Sequence, residues 1–459
     1  MKLNKIFLSD LENDKRFDAE FFSPEFVKAT LIISKMNHLK LGEETLVVDG
    51  PFGSSIHAED YVEQGVPFLQ VHNITEEGRL NLSTVAHISE DDHQRLKSSE
   101  ALPGDVLITK TGWVGFATVL PEDIIKANYR ADLAKIRIKD KKELDPYFLS
   151  SFLNSKFGRL QTRRLQSGSR GDRILAKNIK KLIIPKLTKP LQKKIRMFYV
   201  SSIEKIKRSQ MMYQEAQQIL LEELNLKDYK PKHEISFYAN LKDILMFKRI
   251  DPEYYQPKYK IVEEKIKNVK HETLGKLFDL TKGFEVGGYA YQEKGIPYLR
   301  VSNLEVLELN WGYPKFISKD LFNQLNENYQ PQKGEILLSK DGTPGIAYLV
   351  RDNIKSINSS GILRLKLKDT KKLNLSYMTL VLNSILIQQQ INRDSGGAII
   401  KHWRPEEVKN TLVPILDDPI QEKIASKLDE SYKLRKESKE LLEKAKKMVE
   451  DEVEKEAEK

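Results

Sequence analysis

The chain has 459 residues, of which 40% are hydrophobic and 31% charged, with a formal net charge of +10 and no cysteine. That length accommodates two or three domains with cores of their own, and the lack of cysteine excludes disulfides, thiolate metal sites and cysteine nucleophiles. No run approaches the length of a membrane span and the opening MKLNKIFLSDLEND is too polar for a signal peptide, so a cytoplasmic protein without membrane contact is expected.

Taken in order, the chain says most things twice. LSDLENDKRFDAEFFSPEF (8–26) returns as LKDILMFKRIDPEYYQPKY (241–259), where Arg16, Asp18, Glu20 and Pro24 fall on Arg249, Asp251, Glu253 and Pro257, 233 positions later. A helical segment follows in each copy, ending near His38 and near Val269. GVPFLQVHNI (65–74) then returns as GIPYLRVSNL (295–304), and PGDVLITKTGWVGFATVL (103–120) as KGEILLSKDGTPGIAYLV (333–350), both 230 positions later. An internal repeat of this length sets the architecture before any single motif does.

The β-branched and aromatic content predicts strands over 67–71, 105–108 and 133–138, with partners over 297–301, 335–338 and 362–367. Helices are predicted over 147–165 and 377–393. Strands mixed with helices imply α/β or α+β bodies of ordinary domain size. Each body closes on a Gly/Ser turn and a short apolar strand, in which Pro185, Pro190, Gln192 and Ile195 answer to Pro414, Pro419, Gln421 and Ile424. Pro190 and Pro419 sit where a first-turn helix proline belongs, since its missing N–H is not needed there.

A long helix follows each body. Residues 191–224 carry Ile195, Phe198, Ile206, Tyr213, Ala216, Leu220 and Leu224; residues 420–453 carry Ile424, Leu428, Leu442, Ala445, Val449 and Val453. Apolar residues spaced in threes and fours among Lys and Glu predict a coiled-coil pair, although Arg435 and Ser438 interrupt the seam. The alternative is two separate amphipathic helices, each packed on its own body. About 33 residues of helix extend roughly 50 Å, enough for a spacer.

Catalytic signatures are lacking. There is no P-loop, no dinucleotide fingerprint, no HExxH and no Asn-Pro-Pro-aromatic motif of amino-methyltransferases. Gly112 and Gly115, like Gly342 and Gly345, are more simply turn glycines. What recurs is polar and basic decoration on loops. After the first strand come Gln70, His72 and Asn73 in one copy and Arg300, Ser302 and Asn303 in the other. After the next strand come Lys110, Thr111 and Trp113 against Lys340, Asp341 and Thr343. The late turn carries Arg163, Arg164, Arg170 and Arg173 against Arg393, Lys401, His402, Trp403 and Arg404. Such side chains bond base edges or neutralise phosphates, so these positions are the candidate DNA contacts. Like charges crowded at 163–173 repel one another unless a polyanion is near.

In this ordered, twice-occurring set (the PYLRVSNL-type strand, the GEILLSKDGTPG-type strand and turn, and the proline-flanked entry into a long helix) the chain resembles the specificity (S) subunit of type I restriction-modification enzymes. The resemblance implies a first target-recognition domain at 1–189, a central spacer helix at 190–225, a linker and second target-recognition domain at 226–418, and a C-terminal spacer helix at 419–459. It implies that the two helices pack antiparallel, and that each domain reads one half of a bipartite, asymmetric sequence in double-stranded DNA. It also implies two methyltransferase (M) subunits as partners and, through them, restriction (R) subunits. The specificity subunit would bind no cofactor or metal itself; S-adenosylmethionine, ATP and Mg would serve the partner subunits. The competing expectations are a nuclease or DNA-modification enzyme with unrecognised catalytic residues, and a protein-binding scaffold.

Overall fold

The computed structural model describes residues 16, 18–51, 55–167, 173–247, 249–311, 314–369, 373–395 and 401–458. Arg170 and the glycine-rich parts of both late turns lie outside them. Contacts divide the chain into two compact units, one of Met1–Ile206 with Lys436–Lys459, the other of Lys207–Arg435.

The strands of the first unit are β1 (His38–Lys40), β2 (Thr45–Asp49), β3 (Val66–Leu69), β4 (Ala86–Ile88), β5 (Glu100–Ala101), β6 (Val106–Thr109), β7 (Ala117–Val119), β8 (Ala127–Tyr129), β9 (Leu133–Ile138) and β10 (Ile183–Pro185). Among the described residues they form an antiparallel sheet in the order β2-β9-β6-β7, a second sheet in the order β4-β3-β8-β5, and the pair β1-β10. The second sheet is mixed, since β3 and β8 run parallel. The second unit holds β11 (His271–Thr273), β12 (Phe278–Lys282), β13 (Ile296–Leu299), β14 (Lys315–Ile317), β15 (Ile336–Ser339), β16 (Asp341–Gly342), β17 (Ala347–Leu349), β18 (Ile357–Asn358), β19 (Ile362–Leu367), β20 (Lys401–His402) and β21 (Leu412–Pro414). It repeats the pattern as β12-β19-β15-β17, β14-β13-β18 and β11-β21, with β13 and β18 again parallel. The fold is α+β, present twice.

Several predicted elements shift. The strand expected over 67–71 stops at Leu69, because Val71–Asn73 turns into a short 3-10 helix; its counterpart stops at Leu299 before Val301–Asn303. The helix expected over 147–165 is two helices, Pro146–Asn154 and Lys156–Arg164. Ser155 between them is extended and its hydroxyl accepts from Gly158 N at 3.4 Å, so it starts the second helix. In the other unit Leu375–Leu382 and Ile385–Asp394 likewise replace 377–393.

Buried side chains with polar tips hold the same places in both units. Asn154 accepts from Ala117 N at 3.0 Å and donates to Ala117 O at 2.6 Å; Asn383 does the same to Ala347 at 3.0 and 2.8 Å. Gln192 accepts from Asp145 N at 3.1 Å and donates to Leu187 O at 3.0 Å, as Gln421 does to Asn374 N at 3.0 Å and Leu416 O at 2.8 Å. Each amide satisfies a backbone donor and a backbone acceptor that burial removes from water.

The long helices run over Lys189–Glu223 and Asp418–Ala457. In the first unit Ile195 and Tyr199 share a core with Leu442, Ala445, Val449 and Val453 beneath the sheet residues Ile108 and Ile136, and Lys205 pairs with Glu437. In the second unit Ala216, Leu220 and Leu224 share a core with Ile424 and Leu428, Ser209 meets Ser431 with 2.8 Å between hydroxyl oxygens, and Glu215 pairs with Lys427. Within each unit partner numbers rise on one helix as they fall on the other, so there the helix segments pair antiparallel. Ser438 does not interrupt this seam: it is 1% exposed and lies in it. Arg435 leaves it to bond Glu308 at 2.8 Å.

Candidate nucleic-acid interface

The turn that follows β6 is built by its first residue. Thr109 accepts from Phe116 N at 2.9 Å through Oγ1 and donates to Trp113 O. Ser339 does the same after β15, accepting from Ile346 N at 2.9 Å and donating to Thr343 O at 2.6 Å. Gly112 and Gly115 have φ of 64° and 87°, and Gly342 and Gly345 have 72° and 95°, conformations in which a Cβ is strained.

Lys110 and Lys340, placed among the candidate DNA contacts, are buried at 6% and 8% exposure. Lys110 Nζ reaches Asp49 Oδ1 at 2.5 Å and donates to Ala131 O at 3.2 Å. Lys340 Nζ is held by the Asp341 carboxylate. The backbones of both lysines knit three loops together. Lys110 N donates to Asp132 O at 2.7 Å while Lys110 O accepts from Ile174 N at 2.8 Å, and Thr111 bridges Arg173. In the second unit Lys340 N donates to Gly361 O at 2.9 Å, Lys340 O accepts from Trp403 N at 2.8 Å, and Asp341 pairs with His402.

The loop after β3 joins the same cluster. Val71 N donates to the Asp132 carboxyl, whose pKa burial pushes up against the opposing charges of Arg130 and His72. A Cβ on Gly361, which stands where the first unit has Asp132, would approach Val301 Cγ2 to 2.9 Å and Asp341 Cβ to 3.6 Å. The strand-end loop, the turn after the central strand and the late turn therefore converge within each unit.

Within this framework the predicted residues separate by exposure. His72, Arg163, Arg173, Ser302, Thr343, Lys401, His402 and Arg404 are exposed, and Gln70, Thr111, Trp113, Arg164, Arg300, Asp341 and Arg393 are half-buried. Asn73 and Asn303 are buried, and build their loops rather than face solvent. Asn73 accepts from Gln70 N at 2.8 Å and donates to Asn81 O at 3.0 Å; Asn303 accepts from Arg300 N at 3.0 Å and donates to Asn310 O at 2.8 Å. Trp403, directly after the exposed strand residues Lys401 and His402, is 0% exposed and belongs to the second core.

The expected Arg163–Arg173 cluster is partly tied down. The Arg163 guanidinium lies 5.5 Å from the centre of the Phe26 ring; that of Arg164 lies 4.2 Å from Phe21, whose carbonyl it bonds at 3.2 Å. Arg393 is engaged by Asp394 at 2.7 Å and Glu263 at 2.5 Å, and Arg404 by Glu407 at 2.5 Å. Lys401 donates to Asn392 at 3.0 Å. Sequence reading missed Arg130, exposed beside Asp132, and the pair of positions Asp49 and Lys282. Aligning β2 with β12 would have found Asp49 opposite Lys282. The contact of Asp49 with Lys110 had no local signal.

Residues 266–444 match the family described as type I restriction modification DNA specificity domain. A search of curated proteins finds no match. Among solved structures the chain is similar to the type I restriction-modification system S subunit from M. genitalium, at 14% identity over 92% of this chain and 96% of that one, with a TM-score of 0.38. It is also similar to the HsdS subunit from Thermoanaerobacter tengcongensis, at 16% identity over 91% and 96%, with a TM-score of 0.30. The family match falls on the second body and its helix, and the first body repeats that body in strand order and loop framework. Residues 266–444, and not the whole chain, are thus similar to a type I restriction modification DNA specificity domain.

Proposed function

We propose that the chain reads a bipartite, asymmetric DNA sequence, one half-site per body, and docks two methyltransferase subunits and through them restriction subunits. In this reading the chain binds no cofactor; S-adenosylmethionine, ATP and Mg²⁺ belong to its partners' chemistry. The observation that carries the proposal is the loop cluster itself: one backbone framework, present twice, with different side chains at its exposed positions. Two readers of one sequence would have no reason to differ there.

The paired helices serve in this reading as the spacer that sets the gap between half-sites. Half-sites one turn of DNA apart lie roughly 34–36 Å from centre to centre, within the reach of helices of 35 and 40 residues. Because Leu220 is committed to a body core, lengthening the spacer calls for matched heptad insertions after Ile206 and after Arg435.

The test is to express the chain with its methyltransferase partner and map the methylated sequence. Replacing residues 270–395 with another specificity subunit's body should alter one half of the target; a change in both halves would overturn modular reading. DNA affinity should fall steeply with salt on a log–log plot, as phosphate contacts require. A flat response would favour the scaffold, and S-adenosylmethionine- or Mg²⁺-dependent activity of the chain alone would favour the enzyme.

A further inference from the structure

We infer that Arg173 and His402 are equivalent base-contacting positions, and that they read opposite hydrogen-bonding groups: Arg173 the paired acceptors of guanine, His402 the exocyclic amino group of adenine or cytosine. The inference rests on the function proposed above and makes it specific to one position in each half-site.

The equivalence is set by backbone. In each unit the carbonyl of the buried lysine accepts from the residue that follows, Ile174 N in one and Trp403 N in the other, both at 2.8 Å. Ile174 and Trp403 are both 0% exposed, so each anchors its rung to a core. The residue before each anchor carries the backbone bridge and is presented to solvent. Arg173 and His402 are those residues, and both are exposed. Their cross-strand partners are Thr111 and Asp341.

The partners make the chemistry differ. Arg173 stands opposite a neutral threonine, and its guanidinium is a planar fork of donors with no acceptor. In the major groove that fork matches guanine N7 and O6. His402 stands opposite a carboxylate, with Nδ1 2.8 Å from Asp341 Oδ1. Burial pushes the Asp341 carboxyl up, but the hydrogen bonds from Lys340 and His402 outweigh it and hold the group below its ordinary range, hence ionised. An ionised carboxylate only accepts, so Nδ1 carries a proton toward Asp341, and the tautomer this geometry selects leaves the Nε2 lone pair to accept. The donors on offer in the major groove are adenine N6 and cytosine N4.

The experiment is motif mapping of the complex with methyltransferase subunits, using the exchanges T111D/R173H in the first body and D341T/H402R in the second, beside R173A and H402A. Each exchange should change base preference at one position of its own half-site, and each alanine variant should relax that position by roughly 10-fold. An unchanged motif in all variants overturns the inference. So does a uniform loss of affinity across sequences with a smaller salt slope, the mark of a phosphate contact. If an exchange fails to fold, the alanine variants decide. A wild-type complex that methylates no defined sequence would overturn the function itself, whereas a wild-type motif indifferent to these residues would overturn only this assignment.

Discussion

Lys110 and Asp49 form a 2.5 Å ion pair at the base of the first loop cluster, and the equivalent Lys340 has exchanged that partner for Asp341, its own neighbour in sequence. The reason is visible in register. Asp49 lies opposite Ala134, and the matching position opposite Leu363 is Lys282. A buried ammonium needs a carboxylate, but either of two backbone positions can supply it.

Asp49→Asn should therefore destabilise the first body by about 1–3 kcal/mol, less than for a fully buried pair because Asp49 is itself 50% exposed. Lys282→Asp should leave the second body's stability within about 0.5 kcal/mol of wild type, since Asp341 already serves Lys340. Urea unfolding of the two variants checks the contrast. Equal effects would show that the partner exchange does not matter.

Trp403 fills the second core from the late turn. Trp403→Ala should cost about 3–5 kcal/mol and Trp403→Phe markedly less, because the phenyl ring refills most of the cavity. The readouts are a urea midpoint and the methylated motif. A stable Trp403→Ala variant that read a changed base would return Trp403 to the interface.

Asn154 and Asn383 each clamp both backbone groups of one strand residue. Removing Asn383 takes the side-chain partner from both Ala347 N–H and C=O, at about 2–3 kcal/mol, whereas removing Asn154 strands Ala117 N–H alone and costs about 1–2 kcal/mol, because Ser150 Oγ still donates to Ala117 O at 3.1 Å. Hydrogen exchange at Ala117 in Asn154→Ala, or at Ala347 in Asn383→Ala, should accelerate locally. Protection equal to wild type would mean that something else satisfies those groups.

Glu77 and Lys439 meet at 2.5 Å within the first unit. Burial pushes the Glu77 carboxyl up, yet the Lys439 ammonium outweighs it and brings the pKa down to about 2 from 4.5. A carboxyl depressed in the folded state contributes stability above its unfolded value and loses it as the pH falls through the folded one. The first unit should thus lose up to about 3 kcal/mol between roughly pH 5 and 2 through this group. Glu77→Gln should flatten that acid limb in denaturation curves taken across the window, and an unaltered limb would place the effect elsewhere.

The duplication, the two bodies and the two long helices were legible because repeated strings and threes-and-fours spacing are local properties of a chain. Strand bounds at Leu133–Ile138 and Ile362–Leu367 followed from the same local chemistry. The seam was read less well. Ser438 looked like an interruption, yet it is buried in an antiparallel pair that buries Ser202, Ser209 and Ser431 as well. A polar residue in a seam can be judged only against what faces it.

The loops show the division most sharply. Sequence alone marked Lys110, Lys340, Asn73, Asn303 and Trp403 as polar or aromatic residues on turns, and determined that the two copies share a scaffold while differing at Gln70/Arg300, His72/Ser302 and Thr111/Asp341; the equivalence of Arg173 and His402 came only from the backbone pairing. Which of these face outward was decided by tertiary structure. Burial depends on the neighbouring strand and the late turn, which are distant in the chain, and a lysine or tryptophan carries the same letter whether it meets solvent or a core.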